Sequence, residues 1–307
     1  MELLVESLCK SFGDRQILKD VGFSVTAGEA LGYLGRNGAG KTTTIRILTD
    51  IFRADSGRVL LDGKPIDYGK VRLGYLPEER GLYPKAKVGE QMMYIGELRG
   101  MSRRSAKKSA ENLLEELEAG QYWGNKLETL SKGNQQKIQL AISVLHDPDI
   151  VILDEPFSGL DPVNANMLKR LIVKEVQRKK IVLFSSHQMP YVEEFCENIC
   201  IINQGEIVLK GRIKDIKCSY PRNRLAVWPE GDPHEYVKIL SAADNWSSLV
   251  SSYEINKDEE LIISLNEPAD KGKLMQILAA QPIGLDRVQV VEPTLEEIFV
   301  EKAGGLQ

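Results

Sequence analysis

The chain has 307 residues, 42% hydrophobic and 27% charged, a balance that supports a folded core and excludes a disordered or fibrous polymer. The formal net charge of −4 asks for no nucleic-acid surface, and no nucleic-acid partner is expected. No stretch reaches the roughly 18 consecutive apolar residues of a membrane helix, and the N-terminus, carrying Glu2 and Glu6, does not read as a secretory signal, so the expected compartment is the cytoplasm.

Taken in chain order, LLVESLCKSFG and QILKDVGFSV flank Gly13-Asp14 and predict paired strands around a turn. ALGYLG (Ala30–Gly35) predicts a buried strand, with a helix beginning at Lys41. Between Val88 and about His146 the strand pattern disappears. Leu113, Leu114 and Leu117 recur there at helical spacing, which predicts a helical insertion. IVILDE (Ile150–Glu155) then leads into a helix from Pro162, and IVLFSSH (Ile181–His187) into one from Pro190. Short apolar strands alternating with helices predict an α/β fold with a mainly parallel, covered sheet.

A boundary falls near Cys218–Pro221. Beyond it NRLAVWP, SLVSSYEI, ELIISL and RVQVVEP alternate with helical patterns around His234–Ser241 and Asp270–Ala280. The expected division is therefore residues 1–217, with the helical subdomain at about 88–146, and a small α+β domain at 218–307. Cys9, Cys196, Cys200 and Cys218 form no C-x-x-C pair and read as small buried hydrophobes in a reducing compartment. The spacing of Cys196 and Cys200 fits one helical face.

The strand at Ala30 runs into Gly35, Arg36, Asn37, Gly38, Ala39, Gly40, Lys41, Thr42 and Thr43, which is G-x-x-x-x-G-K-[ST] between a strand and a helix. Glycines let the backbone N–H groups curl round a phosphate, and the helix N-terminus adds a positive dipole end. Lys41 is expected on the β- and γ-phosphates and the Thr42 hydroxyl on Mg²⁺. At the end of the IVILDE strand, Asp154 is placed to hold Mg²⁺ through water and Glu155 to polarise an attacking water.

Together these residues resemble the ABC ATPase family over about residues 1–217. The resemblance implies a P-loop NTPase core with an antiparallel β subdomain and a helical insertion. LSKGNQQK (Leu130–Lys137) resembles the family's LSGGQ signature: Ser131 and Gly133 match, while Lys132 and Asn134 depart from it. SGLDP (Ser158–Pro162) resembles the D-loop, whose Asp161 would help organise the facing site. SSH (Ser185–His187) resembles the switch histidine, so His187 is expected beside the γ-phosphate. Phe12 in KSFG resembles the aromatic on which adenine stacks. GYLPEERGLYP (Gly74–Pro84) stands in the place of the Q-loop, with Glu78 where most members have Gln; Glu78 would coordinate Mg²⁺ or hold water.

EPTLEEIFVEKAG (Glu292–Gly304) resembles the closing motif of ABC-2-type exporter ATPases, including sodium-efflux and drug-efflux relatives. Its Leu295, Ile298 and Phe299 also predict an amphipathic helix docked on its own domain. The resemblance implies ATP hydrolysis by a homodimer or heterodimer, in which Ser131 and Gly133 of one chain seal ATP bound by the other. A separate polytopic membrane permease would carry the cargo, with this chain peripheral on the inner face of the membrane. The alternative is a soluble ABC ATPase acting on ribosomes or DNA. That class usually carries tandem cassettes or a long coiled coil, and neither pattern occurs here. A guanine-reading N-K-x-D is also unmatched, since GNKL (Gly124–Leu127) is followed by Glu128.

Overall fold

The computed structural model describes residues 1–79, 81–243, 246–256 and 259–304; Arg80 of GYLPEERGLYP lies outside them. The chain begins with the hairpin of β1 (Glu2–Phe12) and β2 (Arg15–Thr26), then β3 (Ala30–Gly35) and α1 (Lys41–Leu48). β4 (Ser56–Leu61), β5 (Lys64–Pro65) and β6 (Leu73–Leu76) follow, and then the helices α2 (Val88–Leu98), α3 (Arg103–Glu116) and α4 (Lys132–Val144). The chain returns to the sheet with β7 (Ile150–Asp154), α5 (Pro162–Gln177), β8 (Ile181–Ser186), α6 (Met189–Phe195), β9 (Asn198–Asn203) and β10 (Glu206–Arg212). After α7 (Ile213–Ser219) come β11 (Arg224–Pro229), α8 (Pro233–Ser241), α9 (Trp246–Leu249), β12 (Val250–Ile255) and β13 (Leu261–Leu265). α10 (Lys271–Ala279), β14 (Leu285–Val291) and α11 (Leu295–Lys302) close the chain.

Two compact units result: Met1–Ile213 together with the chain from Ile298 onward, and Lys214–Glu297. In the first, the central sheet has the order β10-β9-β3-β8-β7-β6, parallel from β9 to β6, with β10 antiparallel at the edge. Every residue of β3, β7 and β8 is buried. Both faces are covered, which is why these strands read as unbroken apolar runs. An antiparallel sheet, β2-β1-β4-β5, packs its inward residues Leu3, Val5, Phe23 and Val25 into the same core as Tyr33, Ile45, Ile152 and Leu183. Truncating one such fully buried Ile or Leu to Ala would cost about 2–5 kcal/mol.

In the second unit the antiparallel sheet β12-β13-β11-β14 buries Leu225, Val227, Leu261 and Ile263 against Tyr236, Leu240, Leu274 and Leu278 from α8 and α10. The Tyr236 hydroxyl donates to the Leu278 carbonyl at 3.2 Å, so the polar end of a buried ring is satisfied.

The cysteines depart from the expectation. Cys196 and Cys200 are buried, but Cys9 is half-buried and Cys218 exposed. Cys196 ends α6 and Cys200 lies on β9, so they share no helical face. Burial pushes both thiols up, Cys200 to about 12. No helix among the described residues is long and apolar enough to cross a membrane.

Candidate nucleotide site

The loop after β3 is shaped by its glycines. Gly40 has φ 113°, a conformation that L side chains rarely adopt, and a Cβ there would meet the Leu18 side chain at 2.7 Å. Ala39 is buried beneath the loop, and its carbonyl accepts from the Gly205 N–H at 3.0 Å. The Tyr33 and Thr44 hydroxyls pair at 3.1 Å, tying β3 to α1. Lys41 Nζ donates to the Gly35 carbonyl at 2.5 Å and to the Arg36 carbonyl at 3.4 Å, which holds the ammonium in the mouth of the loop.

A cleft of about 820 Å³ opens here, lined by Gly35, Arg36, Asn37, Gly38, Gly40, Lys41, Thr42 and Thr43 together with Glu78, Asp154, Glu155 and His187. Three strand ends thus deliver their residues to one place: β3 the loop, β7 the acids and β8 the histidine. Arg15 and Ile17 of β2 and Phe299 of α11 complete the lining.

The acids differ sharply. Asp154 is 1% exposed; its Oδ1 accepts from Ser185 Oγ at 2.5 Å, and its Oδ2 is buried with no partner among the described residues. Burial pushes the Asp154 carboxyl above its ordinary value, and the Glu78 and Glu155 charges add to this. Ser185 and Lys41 oppose it. Burial likewise pulls Lys41 below its ordinary value, against the attraction of Glu155, Asp154 and Glu78. A buried orphan carboxylate oxygen costs free energy unless a cation or donor meets it.

That oxygen fits a divalent cation, with the Thr42 hydroxyl in the same cleft. The described residues contain no cluster of three or more Asp, Glu, His or Cys that could cage a metal without help. This donor set suits Mg²⁺, which usually keeps waters and shares phosphate oxygens.

Glu155 is the other kind of acid. It sits just past β7 with φ 48°, and its N–H donates to Ser185 Oγ at 3.1 Å. Its Oε2 lies 2.8 Å from His187 Nδ1 and accepts from the His187 N–H at 3.3 Å. Behind this pair stands an aromatic cluster. Phe157 stacks on Tyr191 at 4.4 Å and packs against Phe195 and Phe184 at 5.2 and 6.1 Å.

The remaining expected site residues lie outside the cleft. Ser131 caps α4, accepting from the Asn134 N–H at 3.3 Å, and Asp161 caps α5, accepting from the Asn164 N–H at 2.9 Å. A Cβ at Gly133 would sit 2.9 Å from Asn164 Nδ2, so the signature glycine also permits close approach to α5. Asn134 donates to the Tyr122 hydroxyl at 2.8 Å. Phe12 is 46% exposed and packs edge-on against Phe52 at 5.4 Å.

Several participants escaped the motif reading. Ser185 joins the two acids. Gln136 donates to the Pro156 carbonyl at 3.2 Å, and Gln139 to the Pro77 and Glu79 carbonyls at 3.3 and 3.2 Å, so α4 holds the segments bearing Glu155 and Glu78. A groove of about 1060 Å³ elsewhere on this unit has among its lining residues Glu6, Arg58, Glu197 and Arg212, paired as Arg58–Glu6 and Arg212–Glu197.

A phosphate loop, a free carboxylate oxygen and a Glu–His pair on the ends of parallel strands define a nucleoside-triphosphate-hydrolysing cassette. Residues 18–158 match the ABC transporter family, and residues 211–303 match the ATP-binding protein DrrA1-3-like C-terminal domain. The uncharacterized ABC transporter ATP-binding protein YhaQ of Bacillus subtilis is 37% identical over 305 residues, covering 99% of each chain. The linearmycin resistance ATP-binding protein LnrL of the same organism is 32% identical, covering 98% of each. A solved ATP-binding subunit of an ABC transporter superposes with a TM-score of 0.66 at 27% identity, over 71% of this chain and 92% of that one. The chain belongs to the ABC transporter ATP-binding proteins, whose ATPase couples hydrolysis to transport, and its DrrA-like C-terminal region sorts it with the ABC-2-type exporter branch.

Proposed function

We propose that this chain is the ATP-hydrolysing motor of a membrane exporter and works as a dimer, peripheral on the inner face of the membrane beside a separate permease. The observation that carries this reading is the meeting of Lys41, the free oxygen of Asp154 and the Glu155–His187 pair in one cleft. In this reading residues 1–217, with the helical subdomain 88–146, form the ATPase domain and residues 218–307 the accessory domain.

Lys41 leaves its carbonyl partners for the β- and γ-phosphate oxygens, and the loop N–H groups hold the rest of the triphosphate. Thr42 and Asp154 would hold Mg²⁺, with Glu78 nearby; the ion supplies charge neutralisation on the phosphates. Glu155 aligns a water and accepts its proton as the water oxygen bonds the γ-phosphorus and the bond to the bridging β-oxygen breaks. His187, fixed by Glu155, donates to a γ-phosphate oxygen. Ser131 and Gly133 of a second copy close over the phosphate and exclude bulk water, with Asp161 at the facing site.

Export is supported by the DrrA-like C-terminal match and by the linearmycin-resistance relative. They favour a drug-like cargo, with sodium the other class the resemblance allows. The test is co-purification of the tagged chain with the polytopic membrane protein encoded beside it, followed by ATPase assays with and without that partner. Hydrolysis unaffected by any membrane partner, with ribosome or DNA association instead, would overturn the exporter reading.

A further inference from the structure

The tail helix α11 carries four apolar residues, Leu295, Ile298, Phe299 and Val300, and Val300 is exposed. Leu295 and Ile298 are each 0% exposed. Phe299 is only half-buried and is among the residues that line the nucleotide cleft. The chain from Ile298 onward belongs to the same compact unit as the phosphate loop, so this aromatic is part of that unit's own cleft.

The wall around Phe299 is otherwise loop backbone and charged or polar side chains; Ile17 of β2 is its one other large apolar residue among the described lining residues. A phenyl ring has no donor for a phosphate oxygen and no lone pair for a metal ion. What it can do in such a cleft is cover the apolar face of a heterocycle. Phe12, the aromatic the family resemblance assigns to adenine, is 46% exposed and packs edge-on against Phe52, so a second apolar contact for the base is compatible with it.

We propose that Phe299 is a nucleotide-contacting residue: with Ile17 it seats the base of the bound nucleoside triphosphate, so the tail helix supplies part of the ATP site in cis. This rests on the reading that ATP fills the cleft. Stacking is tolerant of base identity, because every base presents a π-face. Phe299 therefore adds affinity for nucleoside triphosphates generally and does not select ATP over GTP.

The experiment is equilibrium binding of ATP, GTP and inorganic tripolyphosphate, with Mg²⁺, to the full chain carrying Phe299→Ala, Phe299→Leu or Phe299→Trp. Phe299→Ala is expected to weaken ATP and GTP alike by roughly tenfold, on the scale of one lost base stack, and to leave tripolyphosphate unchanged. Phe299→Leu keeps the apolar volume without the π-face and falls in between. Phe299→Trp restores binding and adds an emission quenched by ATP. Thermal unfolding without ligand shows that each variant is folded. ATP affinity of Phe299→Ala within twofold of the parent overturns the proposal. So does an equal loss for tripolyphosphate, which would make Phe299 a support of the loop. Failure of the ATP reading has a different signature: the parent chain binds ATP no better than Lys41→Ala.

Discussion

Gln139, on the helix that begins with the signature serine, donates its side-chain amide to the backbone carbonyls of Pro77 and Glu79, bracketing Glu78 on both sides. The backbone on both sides of Glu78, the cleft residue that departs from the family pattern, is thus tied to α4. Replacing Gln139 with Leu leaves two carbonyls without their donor at a site only 5% exposed. We expect a loss of about 1–2 kcal/mol, within the range for unmade buried hydrogen bonds. Urea unfolding measures it, and ATP binding through Lys41 should persist.

Glu155→Gln keeps the shape of the side chain and removes the base. Steady-state hydrolysis should fall by a factor of about 10²–10⁴, while ATP affinity stays near that of the parent. Size-exclusion chromatography with light scattering in the presence of ATP should then show a stable dimer. Hydrolysis at the parent rate would remove Glu155 from the mechanism.

Ser185 is 0% exposed and serves both acids, donating to Asp154 Oδ1 and accepting from the Glu155 N–H. Ser185→Ala should lower unfolding free energy by about 1–3 kcal/mol. It should also raise the Mg²⁺ concentration needed for half-maximal hydrolysis, because Asp154 loses the bond that aims its free oxygen. A stability loss without a change in the Mg²⁺ titration would limit Ser185 to packing.

Asp154 gives a pH dependence with a definite sign. Its carboxyl is raised in the folded chain, chiefly by burial, so between the ordinary value of 3.8 and the raised one the native state holds more proton than the unfolded. Its stabilising contribution is therefore present in acid and is lost as pH rises through the raised value. Cation binding needs the ionised form, so Mg²⁺-dependent nucleotide affinity should weaken on acidification at a higher pH than an ordinary carboxylate would give. Titration calorimetry in buffers of different ionisation enthalpy should show proton release on Mg²⁺ binding below the raised value, fading as pH rises above it.

The strand–loop–helix at Gly35–Thr43 and the acids closing β7 were legible because their signals are local: glycines in a fixed spacing and an unbroken apolar run into two carboxylates. The helical insertion was legible from its period, and the second unit's strands from their turn-bounded apolar runs. Ser185, Gln136 and Gln139 were not, because each acts through a bond to a residue far away in sequence, and a serine or glutamine carries no local mark of that. The spacing of the tail helix predicts an amphipathic helix, and Leu295 and Ile298 are buried, although the chain from Ile298 onward belongs to the unit of Met1–Ile213 and not to Lys214–Glu297. Nothing in the spacing separated Phe299 from them; only the shape of the cleft does. Phe12 packs edge-on against Phe52, a contact that its motif does not announce.

The aromatic stack of Phe157 and Tyr191 has a mechanical consequence. It clamps the turn after β7 to α6 just beyond β8, so the segments that bear Glu155 and His187 are braced against each other as well as paired directly. Whatever play the motor needs between its strokes must then be taken up where that bracing ends. The Glu78 segment, held to α4 by the Gln139 amide, stands outside it.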